Sequence, residues 1–236
     1  MTAFLPFPEG TTRAVFIKRE KRFRVLVEFP GGERFWVHTN NSGAMLGLLR
    51  PGRKVLLSPA RRPGRTLPWT LEAMETDGGW CCVNTLAPNR MLAVAWEAGA
   101  LPELAGATAM KREAKTGESR LDARFEGDGG EVWVEAKNCT LQVAGEALFP
   151  DAMSARGRKH LEELMRLKRE TGARVATFYL VSIPGACCLA PAWPVDAEYA
   201  EAFERALDAG VEAWPYRAEV DEAGVRLAER LPVAGR

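Results

Sequence analysis

The chain has 236 residues, 47% of them hydrophobic and 27% charged, the balance of a soluble globular protein with one large domain or two small ones. Its net charge of +1 excludes a polycation, so nucleic-acid binding would have to come from a local patch. No apolar run reaches the roughly 18 residues of a membrane span.

In chain order, Met1-Thr2-Ala3-Phe4-Leu5-Pro6 has neither a basic n-region nor a long h-region, so no signal peptide is expected. Residues 13–80 read as short strands with turns. Arg13 to Arg19, Phe23 to Phe29, Glu33 to Thr39 and Lys54 to Leu57 are β-compatible, with Pro30-Gly31-Gly32 as a turn. Trp69 to Met74 and Trp80 to Val83 would complete a small barrel. An OB-like barrel is expected, though an SH3-like barrel or a small sandwich fits nearly as well. After Asn84 the pattern changes. Asn89 to Ala98 is helix-compatible, and Leu101 to Leu104 reads as a loop or short helix. A strand from Met110 to Lys115 and a hairpin follow. Ala155 to Glu170 is helical, with Leu161, Leu164 and Met165 as its buried stripe and Thr171-Gly172 as its stop. Arg174 to Ser182 is a buried strand. Asp196 begins a helix that ends near Gly210, and Val211 to Trp214 is a last strand. The expected fold class is α/β with two domains: an OB-like barrel over residues 1–82 and a mixed α/β domain over 83–236.

The hairpin carries the chemistry. In Gly127-Asp128-Gly129-Gly130 an Asp-Gly dipeptide favours a two-residue type I′ loop. Counting outward, Asp122 falls opposite Glu135, with Cβ atoms about 5 Å apart. Alternation adds Lys137 to that face, leaving Leu121, Val132 and Val134 for the other. Opposed carboxylates destabilise a sheet unless a cation joins them, and a hard divalent ion such as Mg²⁺, or Mn²⁺, suits oxygen ligands. Lys137 would orient or deprotonate a water or steady phosphoryl charge. This is the Asp…Glu-x-Lys content of PD-(D/E)xK nucleases. The motif alone is weak, and on these three residues a solvated sheet face with a salt bridge is the commoner outcome.

Two basic segments stand out. Arg13, Lys18, Arg19, Lys21, Arg22 and Arg24 crowd twelve residues, interleaved with Phe16 and Phe23. The phenylalanines read as core and the cations as DNA-phosphate contacts, extended by Arg61, Arg62 and Arg65 on a nearby loop. Ser154 is a plausible N-cap, followed by Arg156, Arg158, Lys159 and His160. Cations at the positive end of a helix suggest a bound anion such as DNA phosphate; a solvated face and a structural histidine are the alternatives. The five cysteines, Cys81, Cys82, Cys139, Cys187 and Cys188, show no CxxC or zinc spacing. They read as reduced, mostly buried thiols of a cytoplasmic protein.

Other stretches carry a resemblance: Thr39-Asn40-Asn41-Ser42-Gly43-Ala44-Met45, Val83-Asn84-Thr85 with Asn89-Arg90, and Ser119-Arg120-Leu121-Asp122. Glu135-Ala136-Lys137-Asn138, Phe149-Pro150-Asp151-Ala152 through Arg156-Gly157 to Leu164, and Pro194-Val195-Asp196 with Tyr199 continue it. In that order the chain resembles the sugar fermentation stimulation protein A family over almost its whole length. The resemblance implies an N-terminal OB-fold and a C-terminal PD-(D/E)xK nuclease-like domain. It also implies DNA binding with little sequence preference and a link to sugar, especially maltose, utilisation. It assigns Asp122, Glu135 and Lys137 as the nuclease triad, with the Ala136 carbonyl as a further metal ligand. Glu113 matches an acidic position near the same cleft. Ala136 stands where Val is usual, and Leu67 where a Tyr often precedes the Pro-Trp. DNA is the expected partner and no membrane is; a homodimer is compatible with the sequence.

Overall fold

The computed structural model describes residues 2–60, 66–117 and 119–236. Five strands close the N-terminal barrel: β2 (Thr12–Glu20), β3 (Arg24–Glu28), β4 (Arg34–His38), β5 (Lys54–Pro59) and β6 (Trp69–Thr76). Antiparallel pairing runs β4-β3-β2-β5-β6, and the parallel pair His38–Thr70 joins β4 to β6. A sixth strand, β7 (Gly79–Cys82), extends the sheet from β6. The barrel is an OB domain, and the rest of the chain is α/β. Phe16, Val25, Val27 and Leu57 fill the barrel, as period-two alternation requires. Phe23 departs from expectation. It is 41% exposed because it sits on the β2–β3 turn, not within a strand, and its ring stacks on His38.

The C-terminal domain is built on a seven-stranded sheet. Helix α1 (Ala87–Glu97) leads through a short 3₁₀ turn into β8 (Ala107–Thr116), β9 (Ser119–Gly127) and β10 (Gly130–Cys139). The short strands β11 (Leu141–Val143) and β12 (Glu146–Phe149) precede α2 (Ala155–Thr171) and β13 (Arg174–Val181). Then come β14 (Cys188–Pro191), α3 (Ala197–Asp208), β15 (Glu212–Val220) and β16 (Gly224–Arg230). Strands β10, β13 and β15 are parallel neighbours. Successive crossovers in one direction and of one hand place their helices on one sheet face. Accordingly Leu161 and Leu164 of α2 and Phe203 of α3 share one apolar cluster, while Met91 and Leu92 of α1 lie in the other with Phe178 and Trp214. The interior of β13 is buried on both faces, as a central parallel strand must be.

Strand β1 (Phe4–Pro6) does not join the barrel; it pairs with β16 at the edge of the C-terminal sheet. The core is also continuous: one cluster runs from Phe16 and Leu57 through Val83 and Cys139 to Leu161 and Phe203. The expected last strand extends to Val220 and returns as β16, and β11, β12 and β14 form a small extra sheet. In α2 the buried stripe is Gly157, His160, Leu161, Leu164 and Leu167, with Met165 only partly buried. The cysteines are free thiols, all buried except Cys187. Among the described residues no helix is long and apolar enough to cross a membrane.

One ion pair locks the centre of this sheet. Arg174 Nε and Nη2 each donate at 2.9 Å to the two oxygens of Glu212, and Trp214 Nε1 donates to Oε2 at 3.0 Å. Burial pushes Glu212 up, but Arg174 and Trp214 outweigh it and hold the carboxyl below its ordinary value. The stabilisation is therefore present above the ordinary carboxylate range and is lost as pH falls through the depressed folded value. Glu212→Gln is expected to cost about 1 kcal/mol at neutral pH. Thermal melts should show this as roughly 2–4 °C, and the difference should vanish once pH falls below the depressed folded value of Glu212.

Candidate functional site

The β9–β10 hairpin has the register expected from its Asp-Gly turn. Gly127 pairs with Gly130 and Ala123 with Val134, so the next step sets Asp122 opposite Glu135. On the other side Arg112 pairs with Ala123 and Ala114 with Leu121, which sets Glu113 opposite Asp122. Carboxylates on three adjacent strands thus line one cleft of about 500 Å³, together with Lys137. Regular pairing ends here. Val132 and Val134 face the α1 side as expected, but Leu121 packs in the opposite cluster, so the alternation of β9 breaks around Asp122. Glu113 marks the same irregularity in β8 with a left-handed φ of 48°, a conformation costing a non-glycine residue roughly 1–2 kcal/mol. Its carboxylate pairs with Arg120 at 2.9 Å instead of turning to the other two.

Asp122 and Glu135 are held differently. Asp122 accepts the Ala136 amide at 2.8 Å and Asn89 Nδ2 at 2.6 Å. Burial and the nearby Glu135 push its carboxyl above the ordinary value, against the pull of the Ala136 amide and Lys137. Glu135 is 3% exposed. Burial pushes it up too, but Lys137 and His160 hold it below its ordinary value. Lys137 Nζ is 2.6 Å from Glu135 Oε1, and His160 Nδ1 bonds to the same oxygen. Glu135 Oε2 is buried and has no hydrogen-bond partner among the described residues. Two carboxylates with opposite displacements and one open oxygen form a donor set suited to a hard cation.

The barrel supplies the opposite wall. Asn40, Asn41, Ser42 and Gly43 and the turn residue Arg22 line the cleft across from Asp151, Met153 and Arg156. Arg19 holds this wall and is not a phosphate contact in waiting. Its guanidinium donates to the carbonyls of Gly43 at 2.7 Å, Asn41 at 2.6 Å and Arg22 at 2.8 Å. The remaining basic run is dispersed. Arg13 pairs with Glu222, Lys18 with Glu20 at 2.6 Å, and Arg24 lies over the Trp36 ring at 4.5 Å. Lys21 is exposed on the β2–β3 turn. Lys18 and Arg24 thus converge on the Trp36 ring, while Arg13 and Arg19 turn to other partners. Arg61, Arg62 and Arg65 lie outside the described residues.

At the start of α2, Ser154 is the N-cap and its hydroxyl accepts Gly157 N at 3.0 Å. Arg158 turns to Asp196 and Glu198, which accounts for one of the misplaced cations. Lys159 is exposed on the helix. Arg156 lines the cleft and donates to His160 Nε2 at 3.4 Å. His160 is buried beneath Glu135, so it supports the carboxylate from behind and does not meet phosphate directly. Asn89 and Asp151 are the site residues that the sequence reading left without a role. Asn89 sits in the first turn of α1 and reaches Asp122; Asp151 accepts Met45 N at 2.8 Å across the cleft. The available signal was their place in dense polar stretches, which by themselves read as turns and caps.

An OB barrel fused to an α/β domain, with an acidic, lysine-bearing cleft at their seam, is the class of protein that fold and geometry define. The family model described as "Sugar fermentation stimulation protein RE domain" matches residues 86–224, and "SfsA N-terminal OB domain" matches 17–83. A sugar fermentation stimulation protein homolog of Syntrophobacter fumaroxidans is 52% identical over 231 residues, covering 98% of this chain and 88% of its own. One from Maridesulfovibrio salexigens is 52% identical, with 97% and 96% coverage. A solved structure of Pyrococcus furiosus SfsA in complex with Ca²⁺ is similar at TM-score 0.90 and 28% identity, covering 99% of both chains. The chain belongs to the sugar fermentation stimulation protein family.

Gly43 tests how the wall is built. A Cβ there would overlap the Asp151 carboxylate. Gly43→Ala is expected to displace the 40–43 loop and to cost about 1–3 kcal/mol, the usual penalty of overpacking. Denaturant unfolding measures it, and an unchanged midpoint would show that the loop is not seated on Asp151.

Proposed function

We propose that the chain is a DNA-binding protein of little sequence preference whose cleft hydrolyses phosphodiester bonds with a divalent metal ion. The observation that carries this reading is the convergence of Asp122, Glu135 and Lys137 in one cleft, with Glu135 Oε2 buried and without a partner. Asp122, Glu135 and the Ala136 carbonyl would hold Mg²⁺ or Mn²⁺, which supplies Lewis acidity and an activated water. The Ca²⁺ named for the Pyrococcus furiosus protein supports a divalent ion for the family. Glu113 would join only by leaving Arg120.

The chain's own residues divide the remaining work. Asn89 and the Ala136 amide fix the Asp122 carboxylate, and His160 fixes Glu135. Lys137 Nζ, on the cleft side of Glu135, orients the attacking water and offsets charge on the phosphoryl oxygens. Arg22 and Arg156, on opposite walls, draw the DNA backbone across the carboxylates.

The second reading is a non-catalytic DNA binder on a nuclease-like scaffold, with a regulatory role of the kind the family name suggests. It is favoured by one observation: Glu113, the third carboxylate lining the cleft, pairs with Arg120 and not with the other two. Cleavage of single-stranded, duplex and branched DNA with Mg²⁺ or Mn²⁺ separates the two. If the site is catalytic, Lys137→Ala lowers cleavage by about a hundredfold or more. Its DNA affinity stays within about twofold, because Lys137 acts in the transition state. Intact DNA with retained binding by the wild type would establish the binder.

A further inference from the structure

The carboxylate cleft does not end at its own rim. A second cavity of about 530 Å³ opens beside it between the barrel and α1. The two share Asn40 and Leu86, and a smaller one lined by Arg90, Arg112 and Asp122 shares Leu86 as well. The second cavity has a polar floor and an apolar wall. On the floor Glu72 accepts Ser58 Oγ and Asn84 Nδ2, each at 2.6 Å, and Asn84 Oδ1 accepts Asn40 Nδ2 at 2.6 Å. Leu86 and His38 form a wall, with the Phe23 ring stacked on His38 at 6.3 Å, and Arg90 stands at the edge. The volume falls in the range of roughly 300–1,000 Å³ of small-ligand pockets.

We infer that the strand bound here is single-stranded nucleic acid, with a nucleotide beside the reacting phosphate lodged in the second cavity. Its base lies against Leu86 and His38 and its phosphate on Arg90. This rests on the nuclease-like reading of the cleft and names its substrate form. The argument is one of surface chemistry. Leu86 is 48% exposed and Met153 78%, and they line the carboxylate cleft, with Leu86 shared by the second cavity; Phe23, 41% exposed, backs the His38 wall. A duplex presents sugar and phosphate to such a surface, since its base faces are stacked on one another. An unpaired strand presents the faces themselves, which apolar and aromatic side chains hold. Depth points the same way. Glu135 is 3% exposed between the barrel loop and the Met153 segment, so the reacting phosphate must reach the floor of a walled cleft.

Fluorescence anisotropy on the full chain in Ca²⁺ tests it, with a labelled twelve-nucleotide oligo-dT and a blunt twelve-base-pair duplex. The single strand should bind about tenfold tighter or better. Leu86→Ser and Arg90→Gln should each weaken it by about fivefold, the low end for one lost base contact. Duplex affinity and melting temperature should barely change. Leu86 is the N-cap of α1, where serine is preferred, so that variant keeps the helix start. A duplex bound as tightly as oligo-dT, or oligo-dT affinity unmoved in both variants, overturns the inference and leaves the proposed function standing. Failure to bind either DNA overturns both.

Discussion

The cleft exists because the barrel cannot move away from the α/β domain, and a few buried polar bonds ensure that. Glu72, 4% exposed on β6, takes Ser58 on one oxygen and Asn84 on the other. Asn84 in turn takes the amide of Asn40 from the next barrel loop. Asn138, one residue past Lys137, donates to the Cys82 carbonyl at 2.8 Å and accepts Ser182 Oγ at 2.6 Å. A buried carboxylate is costly unless its acceptor sites are met, and Ser58 and Asn84, from two segments, meet both Glu72 oxygens. Removing any one partner leaves a desolvated group behind. Of these bonds, the one from Asn138 to the Cys82 carbonyl joins the α/β domain directly to the barrel, alongside the continuous apolar core.

That rigidity lets the sheet tolerate charges it would otherwise reject. Asp122 and Glu135 face each other in a buried register, and cross-strand like charges are unfavourable. The protein answers asymmetrically. Glu135 receives Lys137 and His160, whereas Asp122 receives neutral donors and stays displaced toward protonation. The repulsion is not fully cancelled by these partners, since Glu135 still pushes Asp122 upward. The break in alternation at Asp122 and the left-handed Glu113 next to it are the local cost, and both fall where regular pairing gives way to the cleft.

Much of this was legible in the sequence, for identifiable reasons. The Asp128-Gly129 turn dictates register by counting, because side-chain period and turn length are both fixed. Ser154 and Asp196 announced α2 and α3 as N-caps, and both side chains accept the expected amides. What escaped was non-local. Nothing in Phe4-Leu5-Pro6 says that it adds to β16, more than 200 residues away, because an edge strand of three residues has no periodicity to read. The basic run misled for a related reason. Residue type gives charge, but only tertiary placement shows that Arg19 serves three carbonyls and Arg24 a tryptophan. His160 reads from sequence as a phosphate contact or as a structural histidine, and it is buried and hydrogen-bonded to Glu135.

The fate of Arg19 also explains how the barrel contributes to the site. An OB barrel grips nucleic acid with its strand 2–3 face and the loops beside it. Here the β2–β3 turn and the loop after β4 are both turned toward the α/β domain. Arg19 ties them together through the carbonyls of Arg22, Asn41 and Gly43. The barrel's binding edge thus becomes one wall of the carboxylate cleft. Arg22 projects into it from a left-handed turn position with φ 59°. The bonds that hold this wall are internal to the barrel.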